Sequence, residues 1–222
     1  MTDDAGWDEA DWAGRQARQA AAFDAIGRRY DEAFPHKEGQ VAAGEWLLAR
    51  LPANARVLDA GCGTGLPTGR QLVDGGMDLT GIDISAGMLE LARENVPEAR
   101  LEQLDLLDLP GTGWPRFDAV VAFFALLMLP RPKVPEALGI LREALRPDGL
   151  LVLSMVEADL TDVLLPFLGQ EVLVSGYRRE DLRGVVKAAG FAVEHEDSRT
   201  YLPSRRDAYI EVQLFLHCRR TG

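Results

Sequence analysis

Nine residues, Val57-Leu58-Asp59-Ala60-Gly61-Cys62-Gly63-Thr64-Gly65, constrain this chain more than any other stretch. The apolar opening reads as a buried strand. Three glycines at alternate positions follow at once, and Thr68 to Val73 continues as a helix with Pro67 tolerated in its first turn. A strand that turns through glycines into a helix makes a concave backbone ledge. Glycine is needed there because a Cβ blocks either a positive-φ turn or a ligand lying against the main chain. The helix N-terminus beyond it offers free N–H groups to an electron-rich ligand atom. The stretch is therefore expected to cradle a small molecule.

The rest of the chain alternates strands and helices around that turn. Residues 1–10 are acidic and expected to be loosely held. Asp11 to Arg29 is rich in helix formers, with Phe23, Ile26 and Tyr30 at helical spacing, and Pro35 ends the segment. Glu38 to Leu51 reads as a second helix. Strands are expected at Asp78–Ile82, Ala99–Leu104, Phe117–Phe124 and Leu150–Met155, the last entered through the turn Arg146-Pro147-Asp148-Gly149. Helices are expected at Ala86–Asn95, capped by Ser85, and at Val134–Leu145 and Glu180–Ala189. Leu160–Leu168 reads as a short apolar helix. Phe191–Asp197 and Tyr209–Cys218 read as two strands joined by too few residues for a helical crossover, hence antiparallel partners. Such alternation argues for a parallel sheet covered on both faces.

Length and charge narrow the function. A chain of 222 residues supports one substantial α/β core. A formal charge of −11 argues against a nucleic-acid footprint, and Arg178, Arg179 and Arg183 read as a solvated helix face. Two distant cysteines, Cys62 and Cys218, suggest neither a disulfide framework nor a metal site. No apolar run approaches a membrane span and the N-terminus does not read as a signal peptide, so a cytoplasmic protein is expected.

Three carboxylates recur at the ends of successive strands: Asp59, Asp83 and Asp105. In open α/β sheets, ligands bind outside these strand ends. Asp83 stands where dinucleotide folds place a ribose-binding acid. The third glycine of a dinucleotide fingerprint is replaced by Leu66, however, and no Gly-Lys-Ser/Thr is present. Asp59-Ala60-Gly61-Cys62-Gly63-Thr64-Gly65 instead resembles motif I of the class I S-adenosylmethionine-dependent methyltransferases. Gly81-Ile82-Asp83-Ile84-Ser85, Leu104-Asp105-Leu106, Phe117-Asp118-Ala119-Val120-Val121 and Leu145-Arg146-Pro147-Asp148-Gly149-Leu150 resemble further motifs of that family in order.

The resemblance, over roughly residues 30 to 200, implies an α/β, Rossmann-like three-layer sandwich. Its mostly parallel seven-stranded sheet would carry an antiparallel last strand, with an N-terminal helical lid in residues 1–50. Residues 51–222 would form the core, with a lid insertion around 158–177. It also implies S-adenosyl-L-methionine as cofactor and S-adenosyl-L-homocysteine as product. Gly61, Cys62, Gly63 and Gly65 would form the ledge. Asp59 would organise the loop and face the ammonium group, Asp83 would hold the ribose, and Ile84 and Met88 would pack on adenine. Asp105 and Leu106 would bind the adenine edge, the Phe123 carbonyl would face the ammonium, and Tyr30 would close over the cofactor. Bland alternatives stand beside these roles: core packing for Met88 and Tyr30, a loop cap for Asp59.

The acceptor is expected to be a small molecule, with a protein acceptor or a nicotinamide oxidoreductase as the competing readings, in a monomer or homodimer without metal. A base is needed only where the nucleophile is protonated. Glu157 is the first candidate, then Tyr177 and His36, whereas His195 and His217 within strands read as structural and Cys62 is not expected to act as a nucleophile. Phe124, Met128, Met155 and Phe167 suggest a greasy substrate pocket or, equally, a core, and Tyr177 is placed with the substrate.

Overall fold

The computed structural model describes residues 9–202 and 210–222. The acidic segment before Glu9, the 203–207 part of the last connection, and Tyr209 lie outside the described residues. The chain runs α1 (Glu9–Ile26), α2 (Arg29–Ala33), α3 (Glu38–Leu48), β1 (Arg56–Ala60), α4 (Thr68–Asp74), β2 (Asp78–Asp83), α5 (Ala86–Asn95) and β3 (Arg100–Gln103). It continues through β4 (Phe117–Phe123), α6 (Lys133–Ala144), β5 (Leu145–Val156), β6 (Leu160–Phe167), β7 (Gln170–Gly176), α7 (Arg179–Ala188), β8 (Phe191–Tyr201) and β9 (Glu211–Arg220).

Seven strands form one sheet in the order β3-β2-β1-β4-β5-β9-β8. β1 to β5 pair in parallel, and β9 runs antiparallel to both β5 and β8. This is the expected Rossmann-like sheet, with the antiparallel strand last in sequence but one place in from the sheet edge. β1, β4 and β5 are apolar without alternation because helices cover both of their faces. On one face Leu58, Val120, Leu151 and Leu216 meet Leu138 and Leu141 of α6 and Leu182 and Val186 of α7. On the other, Val57, Val121, Val152 and Phe215 meet Ala43 and Leu47 of α3 and Leu72 of α4. Among the described residues no helix is long and apolar enough to cross a membrane.

Three details differ from the sequence reading. Leu160–Leu168 is not a helix: β6 pairs with β7 as a separate two-stranded hairpin. Its Leu-Thr-Asp-Val-Leu-Leu run has an apolar content that fits either structure, but Leu168 and Gly169, at φ 51° and 78°, form a tight reversal that returns the β-prone Val172–Val174 against it. β5 begins at Leu145, so the Asp148 turn, at φ 60°, sits as an irregularity inside the strand. The first helix stops at Gly27, φ 51°, well before Pro35. Phe23, Ile26 and Tyr30 nevertheless converge in one apolar cluster with Phe34, Phe167, Leu168 and Tyr201.

α1 is tied down at three points along its length. Asp24 Oδ1 accepts from Ser85 Oγ at 2.5 Å and from Gly87 N at 2.8 Å, so a side chain from α1 satisfies the exposed start of α5. Gln19 Nε2 donates to the Leu173 carbonyl, and its Oε1 accepts from the Leu173 N–H, both at 2.9 Å. Fully buried Arg15 pairs with Asp162 of β6 at 2.5 Å. Asp24→Ala is expected to lower stability by about 1–3 kcal/mol, because it strands donors at the start of α5; urea unfolding followed by circular dichroism checks this.

Candidate active site

The C-terminal ends of β1, β2 and β4 open into a cavity of about 610 Å³, roofed by α1, α2 and the β6–β7 hairpin. The glycine turn forms part of its wall. Gly61 N and Cys62 N both donate to the Ile82 carbonyl, at 2.8 and 2.9 Å, which folds the turn back onto the end of β2. Gly61, Gly63 and Gly65 all have positive φ. They are glycine for different reasons. A Cβ on Gly61 would meet Ala125 Cβ at 2.6 Å and one on Gly65 would meet Val96 Cγ2 at 2.9 Å, whereas one on Gly63 would meet nothing within 4 Å. Gly63 thus presents a bare backbone facing open space, and it lines the cavity.

Asp83 closes the same wall. Its Oδ2 accepts from Gly63 N and its Oδ1 from Ser85 N, each at 2.9 Å. Burial raises its carboxyl above the ordinary range, and these backbone donors partly offset that. Asp59 is 3% exposed, and burial with the nearby Asp83 charge pushes its pKa from 3.8 up to about 7. Burial also raises the Cys62 thiol well above its usual value, with the nearby carboxylates adding to the shift, which favours the neutral thiol.

Of the residues that the sequence nominated for the cofactor, Tyr30, Asp59, Gly61, Cys62, Gly63, Asp83, Ile84, Met88, Asp105, Leu106 and Phe123 all line this cavity. Gly65 does not; it packs against α5. Asp105 is already engaged: Oδ2 accepts from Gln16 Nε2 at 2.6 Å and from Trp12 Nε1 at 3.2 Å, and Oδ1 caps Leu107 N at 3.0 Å.

The acceptor-side expectations fare unevenly. Phe124, Met128 and Phe167 line the cavity. Met155 does not; it is fully buried in the sheet core opposite Leu214. Tyr177 points elsewhere, its hydroxyl donating to the Arg131 carbonyl at 3.1 Å with the Arg131 guanidinium over its ring. Glu157 borders the cavity, but Arg179 grips it through Nε at 2.8 Å and Nη2 at 2.5 Å. That pairing holds its carboxyl below the usual range, the opposite of what a general base near neutrality needs. Arg178, Arg179 and Arg183 each pair with a carboxylate, so they form no open basic face. His217 lies across the ladder from His195, away from the cavity, and burial lowers its pKa to about 4.

Several cavity residues carry no sequence pattern. Phe124 sits at φ 54°, a conformation that a bulky side chain rarely adopts, with its N–H held by the Ser154 carbonyl at 3.2 Å and Oγ at 3.0 Å. Gln16, Gln19, Phe34, Tyr201 and Glu211 reach the cavity from distant parts of the chain. Among the described residues no cluster of His, Cys, Asp or Glu is arranged to hold a metal.

Residues 57–149 match the protein-family model described as "Methyltransferase domain". Over 142 residues the chain is 36% identical to the malonyl-[acyl-carrier protein] O-methyltransferase of Enterobacter lignolyticus, covering 63% of this chain and 54% of that protein. The chain spans about half the length of the curated relatives it matches. Among solved structures it resembles the 1,6-didemethyltoxoflavin-N1-methyltransferase of Burkholderia thailandensis, bound to its acceptor and S-adenosylhomocysteine, with a TM-score of 0.70 at 23% identity over 96% of this chain and 90% of that one. It also resembles the magnesium protoporphyrin IX methyltransferase of Synechocystis with bound cofactor, with a TM-score of 0.67 at 18% identity over 95% and 96% of the two chains.

The raised Asp59 carboxyl has a consequence for stability. Its proton is held more tightly in the folded chain than in the unfolded one, so its contribution is complete at low pH and is lost as pH rises through about 7. Asp59→Asn is expected to flatten the decline in stability between about pH 4 and about pH 8. Chemical denaturation across that range checks this.

Proposed function

We propose, from the premise that residues 57–149 are a class I S-adenosylmethionine-dependent methyltransferase domain, that this chain transfers a methyl group to a small organic acceptor held beneath its helical and hairpin roof. One observation carries the proposal. One partly open cavity is lined both by a bare glycine ledge with a strand-end carboxylate and by aromatic, apolar side chains. The first side suits an adenosyl sulfonium and the second a compact acceptor, and a large macromolecular surface has no route to the shared wall while the roof stays latched.

The residues present fit the cofactor. Gly63 offers bare main chain to the open cavity, at a positive φ that residues with side chains rarely adopt. Asp83, fixed by two backbone N–H groups, keeps lone pairs for ribose hydroxyls. Ile84 and Met88 supply an apolar face for adenine, and Leu106 with Asp105 its edge. Because Trp12 and Gln16 occupy Asp105, α1 would share that carboxylate with the adenine amine or yield it. Asp59 and the Phe123 carbonyl are left for the ammonium. When bound, the cofactor supplies an electrophilic methyl on a positively charged sulfur that departs as a neutral thioether.

The chain's own contribution is orientation and dryness. Holding two reactants in line within a closed site supplies much of such an acceleration, and α1 with the β6–β7 hairpin excludes the water that would compete. We assign the described part of the 1–50 segment, from Glu9 on, and the 158–177 insertion to this roof. The relatives named above carry acceptors as different as a malonyl carrier-protein ester and a porphyrin, so the acceptor must be inferred from this chain's own cavity.

S-Adenosylhomocysteine is expected to raise the melting temperature and NAD to leave it unchanged. Labelled methyl from S-adenosylmethionine should enter the small-molecule fraction of a cell extract and not its protein fraction; label confined to protein would overturn the acceptor class. Asp83→Ala should weaken S-adenosylhomocysteine binding by about 1–3 kcal/mol, through lost ribose hydrogen bonds, and calorimetry that finds equal affinity would remove Asp83 from the site.

A further inference from the structure

Tyr30 apart, the acceptor end of the cavity is built from groups to which the cofactor site gives no role. Four rings form its wall. Tyr30 and Phe34 lie 5.3 Å apart, Phe34 and Tyr201 5.3 Å, Phe34 and Phe167 5.8 Å, and Tyr30 and Phe167 6.5 Å. Into this box projects one carboxyl, Glu211, the first residue of β9. It stands directly opposite Tyr201 in the β8–β9 ladder, so the two side chains share a face. Gln213 Nε2 donates to Glu211 Oε1 at 2.7 Å. Among the described residues no cation pairs with Glu211. Tyr201 is 7% exposed, and its hydroxyl, approached by the His36 backbone N–H, makes no hydrogen bond of full geometry among the described residues. A half-buried carboxyl with one side-chain donor thus stands beside a buried hydroxyl that lacks a full hydrogen bond, and polar groups so placed gain from a ligand that completes them.

We infer that Glu211 and Tyr201 form the recognition head for an uncharged, flat aromatic acceptor presenting one protic O–H or ring N–H, and that Glu211 receives that proton as the methyl is transferred. This rests on the function proposed above and names its acceptor class.

The chemistry of the box selects against the alternatives. Flat rings offer offset and edge contacts to another flat ring. An anionic acceptor would meet the Glu211 carboxylate with little to offset it. Among the described residues lining the cavity the basic side chains are Lys37 and His36. Lys37 is committed to Asp31 and to the Leu66 carbonyl, and His36 is largely exposed beside Glu38. A protic neutral acceptor instead donates to Glu211 and accepts from Tyr201. As its heteroatom lone pair forms the new bond to carbon, the carbon–sulfur bond breaks with its electron pair left on sulfur. The acceptor proton passes to Glu211, and from there to solvent when the roof opens. The positive charge of the sulfonium thus ends as a proton on a carboxylate. Glu157, gripped by Arg179, has no such capacity.

Burial raises the Glu211 carboxyl, which suits a proton acceptor. The titratable groups that face it are Tyr30 from α2 and Tyr201 from β8, with Asp31, His36, Lys37 and Glu38 behind them. Burial raises both phenols above their ordinary values, so each stays neutral while Glu211 titrates.

Binding of 2-naphthol and of 2-naphthoate, which share a flat bicyclic ring and differ in the charge of the group it carries, tests the inference through their own fluorescence, with and without S-adenosylhomocysteine. The wild-type protein should bind 2-naphthol at least about tenfold more tightly than 2-naphthoate near pH 8, since like charges repel. The gap should narrow toward about pH 5 as Glu211 takes up a proton. E211Q should flatten the Glu211-dependent part of naphthoate binding across that range, and Y201F should weaken 2-naphthol by about threefold to tenfold. Equal affinities for the two probes at every pH, or a naphthoate profile unchanged in E211Q, would overturn the inference; the wild-type series decides it even if a variant fails to fold. Calorimetry with S-adenosylhomocysteine should give the same affinity for wild type and E211Q. Loss of that binding in the wild type would strike the cofactor site, while the probe comparison without S-adenosylhomocysteine would still judge Glu211.

Discussion

The end of β2 holds the site together. The Ile82 carbonyl takes two N–H groups from the glycine turn, and the Asp83 carboxylate takes a third from Gly63 and a fourth from Ser85. Four backbone donors from two turns therefore converge on two consecutive residues. Without those acceptors the turn would have to find partners in water, and the ledge would lose its shape. The carboxylate is raised in pKa by the same burial that makes its hydrogen bonds strong. If Asp83 also holds the ribose as proposed, its two duties use different lone pairs of the same oxygens, which leaves little freedom for substitution.

Dryness is the second organising property. Asp59, Asp83, Tyr30 and Glu211 lie at different points of one cavity, and burial is the largest cause of the shift in each. A low local dielectric strengthens every polar contact within the cavity and penalises every unpaired charge. It is produced by pieces remote in sequence: α1 and α2 before the sheet, the hairpin after β5, and the β8–β9 ladder at the end of the chain. The parallel strands supply the ledge, and the additions supply the cover over it.

How far the sequence could be read follows from this division. The glycine turn, Asp83 and the alternating strands were legible because short local patterns encode them, and almost every nominated cofactor residue reaches the cavity. Phe124, Met128 and Phe167 were legible as apolar candidates, but the Tyr201–Glu211 pair was not, since those two residues meet only through the pairing of two strands that close over a long connection. Apolar content could not separate the β6 strand from a helix; the Leu168-Gly169 reversal and the β-prone return strand decide it. Met155 and Tyr177 show the converse error. Both follow a strand toward the site, but a one-residue alternation sends Met155 into the core, and the Arg131 carbonyl draws the Tyr177 hydroxyl away. Glu157 looked free because nothing nearby in sequence marks Arg179, across the chain, as its partner.

The double contact between Gln19 and Leu173 has a further consequence. A carboxamide has the same donor and acceptor as a peptide group, and here it occupies the outward-facing N–H and C=O of β7 as a neighbouring strand would. The hairpin is otherwise a two-stranded ribbon with one open flank, the kind of surface that recruits strands from other molecules. With α1 in place that flank is occupied much as a third strand would occupy it, so the helix that roofs the cavity also covers a sheet edge.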